Sequence, residues 1–323
     1  MGAAWPSFLA LLAILVDIIR NRVIVSHYRC VFIGLLAVQI IIEMYQFLHV
    51  ELVVRPRDYG FVPFYSPVSS SLLVKLLCIW ERVVGTAVLF GLIVLAENRY
   101  TAFRFPTCYR RIWSFTSTLS HLGAQWAIPT FFFSPLLFTS VIPVSFAADN
   151  STKGIVAVVE EDLAEADKAQ SLCFSVISLV LTVTFLVLAA QQMRQQQHAD
   201  CTFIVQDIAG ERVHLITASF MALPLPFYVV AHFWNVVSSF LCGGLHDGGR
   251  VNGDLWYICA TLPIIVHPWL ILIGNPFIRG RFLSSIGLPT ARPSKASTVP
   301  TPYPNSIYFT RGSVSPESST DGC

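Results

Sequence analysis

The chain has 323 residues, of which 54% are apolar and 12% are charged, whereas about 25% of the residues of an ordinary soluble domain are charged. Its 21 Lys and Arg and 19 Asp and Glu leave a net charge of +2, and no segment is basic enough to bind the phosphates of a nucleic acid. We therefore expect a lipid bilayer, and no nucleic acid, as the partner of this chain.

Seven apolar stretches predict an all-α membrane protein with a bundle of seven transmembrane helices. About 20 apolar residues of helix cross the ~30 Å core of a bilayer. The stretches cover residues 3–19, 31–50, 72–96, 119–141, 172–190, 213–233 and 255–274. We expect residues 1–278 to form the transmembrane domain. Residues 279–323 are rich in Ser, Thr and Pro, which predicts a disordered cytoplasmic tail.

The distribution of positive charge predicts the orientation. With the N-terminus outside, the inner segments carry fourteen Lys and Arg and the outer segments carry five, and cytoplasmic loops hold the excess of positive charge. The C-terminus is then inside. The sequon Asn150-Ser151-Thr152 falls in an outer loop, so Asn150 is a candidate for N-glycosylation.

Glu43, Glu81 and Arg82 are ionisable residues within the outer halves of predicted spans. Each such group costs about 2.5 to 3.5 kcal/mol in a bilayer and needs a partner or a wet cavity. Two interpretations stay open. Glu43 and Arg82 form an ion pair between neighbouring helices, or the three residues line an outward-facing cavity for a small-molecule ligand. In addition, the sixth and seventh stretches each contain two prolines, which predict kinks.

No catalytic motif, P-loop or C-x-x-C pair occurs, so we expect no enzyme, no cofactor and no metal site. The polar residues of the later spans lack metal-ligand spacing, and we expect hydrogen bonds between helices from them; they are His121, Gln125, His232, Asn235 and His267. Cys78 and Cys173 lie near the outer ends of the third and fifth spans, so they are candidates for a disulfide. Sequence does not establish the geometry that a disulfide requires, and Cys242 is a competing partner in an outer segment.

Residues 95–113 read LAENRYTAFRFPTCYRRIW. This segment resembles the N-R-[FY]-T-[AS] … F-P … Y … I-W signature of nematode serpentine chemoreceptors of the Srg superfamily, either class gamma or the closely related class V. The likeness covers about residues 1–285. It implies a seven-helix G-protein-coupled receptor in the plasma membrane of a sensory neuron. Its partners would be an environmental small molecule outside and a heterotrimeric G protein inside.

By this resemblance, Arg99 is the arginine that ends the third helix and either faces the G protein or locks the resting state. We assign to the same switch the neighbouring residues of the inner segment, which are Glu97, Tyr100, Arg110 and Arg111. The rhodopsin-like class places an acid directly before its arginine, whereas Asn98 stands here and Glu97 is one residue earlier. The alternative function is a small polytopic transporter, although the chain shows no repeated halves of the kind transporters use.

Overall fold

The computed structural model describes residues 4–20, 27–54, 71–138, 142–146, 154–158, 161–198, 205–241 and 248–285. These residues form ten α-helices: α1 (Ala4–Arg20), α2 (His27–His49), α3 (Ser71–Arg104), α4 (Tyr109–Ile112), α5 (Phe115–Phe133), α6 (Glu161–His198), α7 (Val205–Met221), α8 (Leu225–Leu241), α9 (Gly248–Gly274) and α10 (Pro276–Ser285). A π-helical turn, Val50–Val54, continues α2, and a 3-10 turn, Ser134–Phe138, continues α5.

Each of the seven predicted stretches lies largely on helix. Five segments of the described chain are long and apolar enough to cross a membrane: Val31–Val54, Ile79–Arg104, Ala166–Gln196, Glu211–Ser238 and Tyr257–Gly274. The other two stretches fall on α1, which has only 17 residues, and on α5, whose Ser, Thr, His and Gln side chains make it less apolar. The number seven therefore stays a prediction.

An antiparallel hairpin, which the sequence analysis did not anticipate, lies between α5 and α6. It consists of β1 (Ile142–Phe146) and β2 (Gly154–Val158), with Ile142 opposite Val158 and Phe146 opposite Gly154. Both strands are short and contain Val and Ile, which favour extended backbone. The connection between the strands includes Asn150, which lies outside the described residues.

Helices α3 and α9 each pack against several other helices, including helices that are distant in sequence. Helix α3 contacts α2, α5, α6 and α7, while α9 contacts α1, α2, α7, α8 and α10. The largest cluster of buried apolar side chains joins several of these helices through residues such as Leu11, Phe47 and Ile264. Residues on α3 are therefore placed to contact four other helices of the bundle.

The bundle is apolar outside and partly polar inside. Phe131 is 74% exposed and Val230 is 62% exposed, whereas Gln39, Gln125 and His267 are buried. Gln125 Nε2 donates to the Ala87 carbonyl of α3 at 2.7 Å, which confirms the expected bonding between helices for this residue. This distribution suits a lipid environment, because apolar side chains can face the acyl chains while polar groups satisfy one another inside.

The sixth predicted stretch is divided into two helices. Helix α7 ends at Met221, residues 222–224 form a turn, and α8 begins at Leu225. Pro224 and Pro226 lack the backbone N–H that an unbroken helix would use. The two prolines of the seventh stretch instead lie inside the continuous helix α9. Proline therefore breaks one of the two helices and leaves the other unbroken.

Helix α10 extends into the segment for which a disordered tail was predicted. Its start is capped by Asn275, whose Oδ1 accepts from the backbone N–H of Ile278 at 3.2 Å. Farther along, Arg281 Nη1 lies 4.0 Å from Asp17 Oδ2 on α1. The first residues of that segment, 279–285, are thus helical, and residues 286–323 lie outside the described chain.

Candidate functional site

Arg99, near the end of α3, is wholly buried. Its Nη1 forms an ion pair with Glu211 Oε2 of α7. Its Nε donates to Asn98 Oδ1 at 3.2 Å, and its Nη2 donates to the same oxygen. The guanidinium carbon lies 4.3 Å from the centre of the Phe32 ring on α2. These four residues, Arg99, Asn98, Glu211 and Phe32, form what we term the Arg99 cluster, and they join three helices.

The ion pair in the Arg99 cluster is poorly accessible to water. The side chain of Arg99 is 0% exposed and that of Glu211 is 15% exposed. Solvent and salt therefore screen this pair much less than a surface pair. Because a buried charge is costly once its partner is removed, the pair favours the arrangement in which α7 rests against α3.

Two further hydrogen bonds attach the segment after α3 to the end of α3, one of them to the Arg99 cluster itself. Asn98 Nδ2 donates to Tyr109 Oη at 2.9 Å, and Trp113 Nε1 donates to Thr101 Oγ1 at 2.7 Å. Burial raises the pKa of the Tyr109 hydroxyl above its usual value of 10.0, against the opposing effect of the nearby Arg99 cation. Tyr109 is therefore a neutral hydrogen-bond acceptor for Asn98 at physiological pH.

Two of the predicted switch residues lie beside the Arg99 cluster without contacting its guanidinium. Glu97 Oε1 is 3.6 Å from His121 Nε2 on α5. The Tyr100 ring lies 5.7 Å from the Phe185 ring on α6. In this chain Asn98, and not an acid, directly precedes Arg99. The structure agrees with that difference from the rhodopsin-like pattern, because Glu97 pairs with His121 of α5 and not with Arg99.

The acid that does pair with Arg99 was not identified from sequence. Glu211 is 112 positions away in the chain and stands two residues before the sixth apolar stretch. In the sequence, Glu211 is recognisable only as an acid near the start of a predicted span, and this position does not indicate which residue it pairs with. Arg110 and Arg111, also predicted for the switch, lie on α4 and are exposed.

A small polar cavity lies between α2, α3, α6 and α8, away from the Arg99 cluster. Its volume is about 30 Å³, enough for one or two water molecules. Seven of its nine lining residues have polar side chains; the lining consists of Gln46, Glu81, Arg82, Gly85, Thr86, Leu89, Ser171, Tyr228 and His232. The hydroxyl of Tyr228 is buried and makes no hydrogen bond to the described residues.

The structure brings two of the three predicted ligand residues to this cavity. Glu81 and Arg82 line it, and Glu43 does not. The Glu43–Arg82 ion pair is not formed. Instead, Arg82 Nη2 lies 2.9 Å from Asp167 Oδ2 on α6, and Glu43 Oε2 lies 2.7 Å from His267 Nδ1 on α9. Arg82 and Glu43 therefore pair with other residues and not with each other, because the packing of the helices, and not the spacing in the chain, decides which side chains are in contact.

Glu43 belongs to a chain of buried hydrogen bonds through the middle of the bundle. Its Oε1 accepts from Gln39 Nε2 at 2.8 Å, and Gln39 Nε2 also contacts the Val88 carbonyl of α3 at 3.1 Å. On the other side, His267 Nε2 lies 3.0 Å from the Met221 carbonyl, at the break between α7 and α8. His267 therefore bonds other helices through both ring nitrogens, as the sequence analysis expected.

The remaining predicted residues receive no structural test. The side chain of Cys173 is exposed, and the side chain of Cys78 lies outside the described part of the chain, so their pairing stays a prediction. Asn150 also lies outside the described residues. Among the residues that the structure does describe, no group of His, Cys, Asp and Glu side chains could hold a metal ion.

A helical bundle with an apolar exterior, buried charges and five long apolar helices is an integral membrane protein. The family model described as "Serpentine type 7TM GPCR chemoreceptor Srv" matches residues 2–288, and the chain belongs to this family. Its members form a receptor class and not an enzyme class. Of the two classes that the sequence resemblance left open, the match supports class V and not class gamma. No curated protein matches the chain.

Proposed function

We propose that this chain is a chemosensory receptor that binds a small polar molecule in the cavity and signals to a heterotrimeric G protein through the Arg99 cluster. One observation carries the proposal: the same two helical segments contribute to both places. Helix α3 supplies Arg82 to the cavity and Arg99 to the cluster, while the α7–α8 segment supplies Tyr228 to the cavity and Glu211 to the cluster.

The distance between the two places suits a transmembrane signal. Arg82 and Arg99 are seventeen residues apart on one unbroken helix, which corresponds to about 25 Å at ~1.5 Å per residue. Both α3 and α8 line the cavity, and α7 packs on α3. A ligand that changes the position of α8 at the cavity would therefore, through the α7–α8 segment, change how α7 packs on α3 near the other end. Receptor activation requires no more than a ligand that binds one of these two arrangements better than the other.

The cavity favours a small, water-soluble ligand. An apolar molecule would leave the buried Tyr228 hydroxyl without a partner, at a cost of about 1 to 3 kcal/mol. The cavity is small, with room for one or two water molecules. A larger ligand therefore binds better to an arrangement in which the helices around the cavity lie farther apart, and its binding energy favours that arrangement.

The remainder of the proposal concerns orientation and location. The excess of Lys and Arg in the predicted inner segments supports a position of the Arg99 cluster on the cytoplasmic side, with the N-terminus and the cavity toward the outside. The exposed Arg110 and Arg111 on α4 then belong to the surface offered to the G protein. By its resemblance to nematode chemoreceptors, the receptor acts in the plasma membrane of a sensory neuron.

The experiment is a nucleotide-exchange assay on membranes from cells that express the full chain with a heterotrimeric G protein. A panel of small carboxylic acids, amines and alcohols is applied from outside. We expect at least one compound to raise exchange. Tyr228→Phe should then raise the half-maximal concentration by about 2- to 13-fold, the value of one hydrogen bond of ~0.5 to 1.5 kcal/mol.

The matched control is Phe227→Leu, because Phe227 is next to Tyr228 but 58% exposed on the outside of the bundle. It should leave the response unchanged. If vesicles containing the chain accumulate a compound and no compound raises nucleotide exchange, the chain is a transporter and the proposal is wrong.

A further inference from the structure

The break between α7 and α8 leaves the backbone carbonyl of the buried residue Met221 without its usual helical partner. In a continuous helix the Met221 carbonyl would accept from the N–H of Leu225, four residues later. Leu225 N instead donates to the Ala222 carbonyl at 3.1 Å, and Pro224 and Pro226 have no N–H to donate. Met221 is buried, so its carbonyl needs a partner from another part of the molecule.

His267 of α9 supplies that partner. Its Nε2 lies 3.0 Å from the Met221 carbonyl oxygen. Because a carbonyl oxygen can only accept, Nε2 carries the proton of this bond. Nδ1 of the same ring lies 2.7 Å from Glu43 Oε2 of α2, so the carboxyl group holds the ring in the orientation that points Nε2 at Met221. Both side chains are 0% exposed.

The position of this bond connects it to both ends of the proposed signalling path. Tyr228 of the cavity is seven residues after Met221, and Glu211 of the Arg99 cluster is ten residues before it. The break is therefore the point at which α7 and α8 could pivot against each other, and the His267 bond lies directly on it. Since α9 is continuous through this depth, it provides a fixed support for the pivot.

We propose that Glu43 and His267 are positioning residues that restrain the α7–α8 break and thereby hold α7, with Glu211, against Arg99. Loss of the restraint frees the break and raises signalling in the absence of ligand. The effect on signalling rests on the proposed receptor function, but the effect on the break itself does not.

The test variant is Glu43→Leu/His267→Leu in the full chain. It removes both ionisable groups together, so no unpaired charge is left in the interior, and replacing such a pair by apolar residues of similar volume is commonly neutral or stabilising. Should this variant fail to reach the membrane, Glu43→Gln/His267→Leu serves in its place, because a glutamine side chain in place of Glu43 keeps the bond from Gln39 without a charge.

Two controls separate the restraint from a general loss of polar groups. Glu43→Gln alone can still accept from Gln39 through Oε1 and donate to His267 Nδ1 through Nε2, so it should behave as the unmodified receptor. The second control is Thr261→Val. Thr261 lies on the same helix as His267 and is also buried. The Thr261 hydroxyl donates to carbonyls of its own helix, Tyr257 at 2.8 Å and Ile258 at 3.2 Å, so its loss should leave the break unchanged.

Two measurements are made on each variant. Hydrogen–deuterium exchange of the peptide covering residues 219–228 reports the break directly and needs no G protein. Basal nucleotide exchange reports signalling. We expect faster hydrogen exchange in the Leu/Leu variant and basal signalling higher by about 2- to 13-fold, the equivalent of one lost hydrogen bond of ~0.5 to 1.5 kcal/mol.

Unchanged hydrogen exchange at residues 219–228 would overturn the proposal whatever the signalling. Faster hydrogen exchange with unchanged basal signalling, in a receptor that does respond to Glu211→Gln, would overturn it as well. If hydrogen exchange rises while no form of the chain, including Glu211→Gln, activates a G protein, the restraint is supported and the receptor function is the part that fails.

Discussion

The Arg99–Glu211 ion pair makes a direct prediction about Glu211→Gln. Glutamine has the same shape as glutamate and can still accept a hydrogen bond from Arg99, so the substitution removes the charge and little else. Glu211 is 15% exposed and Arg99 is 0% exposed, so solvent does little to compensate for the lost charge. The substitution should therefore weaken the attachment of α7 to α3 without disturbing the packing around it.

The size of the effect follows from the difference between two kinds of hydrogen bond. A bond to a charged group contributes about 1.5 to 3 kcal/mol, and a neutral one contributes about 0.5 to 1.5 kcal/mol. We call the receptor closed when α7 rests against α3 and released when it does not. The difference of about 1 to 2 kcal/mol changes the ratio of released to closed receptor by roughly 5- to 30-fold. If the released form is populated at about 1%, as is common for a minor state, it should rise to between about 5% and 20%.

The assay is basal nucleotide exchange per receptor at the cell surface, with Arg212→Gln as the matched control. Arg212 is the next residue on α7 and is exposed, so its substitution changes the charge at the same helix end but leaves the pair with Arg99 intact. We expect Glu211→Gln to raise basal exchange and Arg212→Gln to leave it unchanged. Equal basal exchange in the unmodified receptor and in Glu211→Gln, at equal surface amounts, would refute the reasoning.

Two other predictions concern the packing of α3 and the orientation of the chain. Gly91→Ala should lower the melting temperature of the purified receptor by the equivalent of about 1 to 3 kcal/mol. The added Cβ would overlap Gln39 Oε1 and lie 2.6 Å from Gln125 Nε2. Gly123→Ala, with no atom within 4 Å of its added Cβ, is the control, and equal melting of both variants would contradict this account. Asn150→Gln should increase the gel mobility of the mature receptor, and glycosidase treatment of the unmodified receptor should do the same. Mobility that neither change alters would argue against an outer position for this loop.

Hydropathy identified segments that are helical in the structure because it is a local property. A run of about 20 apolar residues predicts a helix whatever the rest of the chain does, and each of the seven stretches lies largely on helix. The segment around Arg99 was also recognisable, since residues 95–113 form a contiguous signature. It narrowed the family to two classes, of which the match to residues 2–288 supports one.

The element boundaries were harder to predict. The helix break at residues 222–224 and the unbroken α9 both involve prolines, so proline content alone did not distinguish them. The freed Met221 carbonyl is buried and accepts from His267, and that donor is provided by another helix. A broken helix is thus tolerated where a neighbour satisfies the backbone, which is information that the local sequence does not contain.

The sequence by itself determined which ionisable groups lie in the apolar segments and that each of them needs a partner, because the cost of a charge in lipid depends only on the residue and its depth. The tertiary structure decided which side chain each of these ionisable groups pairs with. Within those segments, Arg82 pairs with Asp167 and Glu43 with His267. Just beyond the third segment, Arg99 pairs with Glu211. Several acids could have served each base equally well, and only the packing of the helices brings one particular pair of side chains within hydrogen-bonding distance.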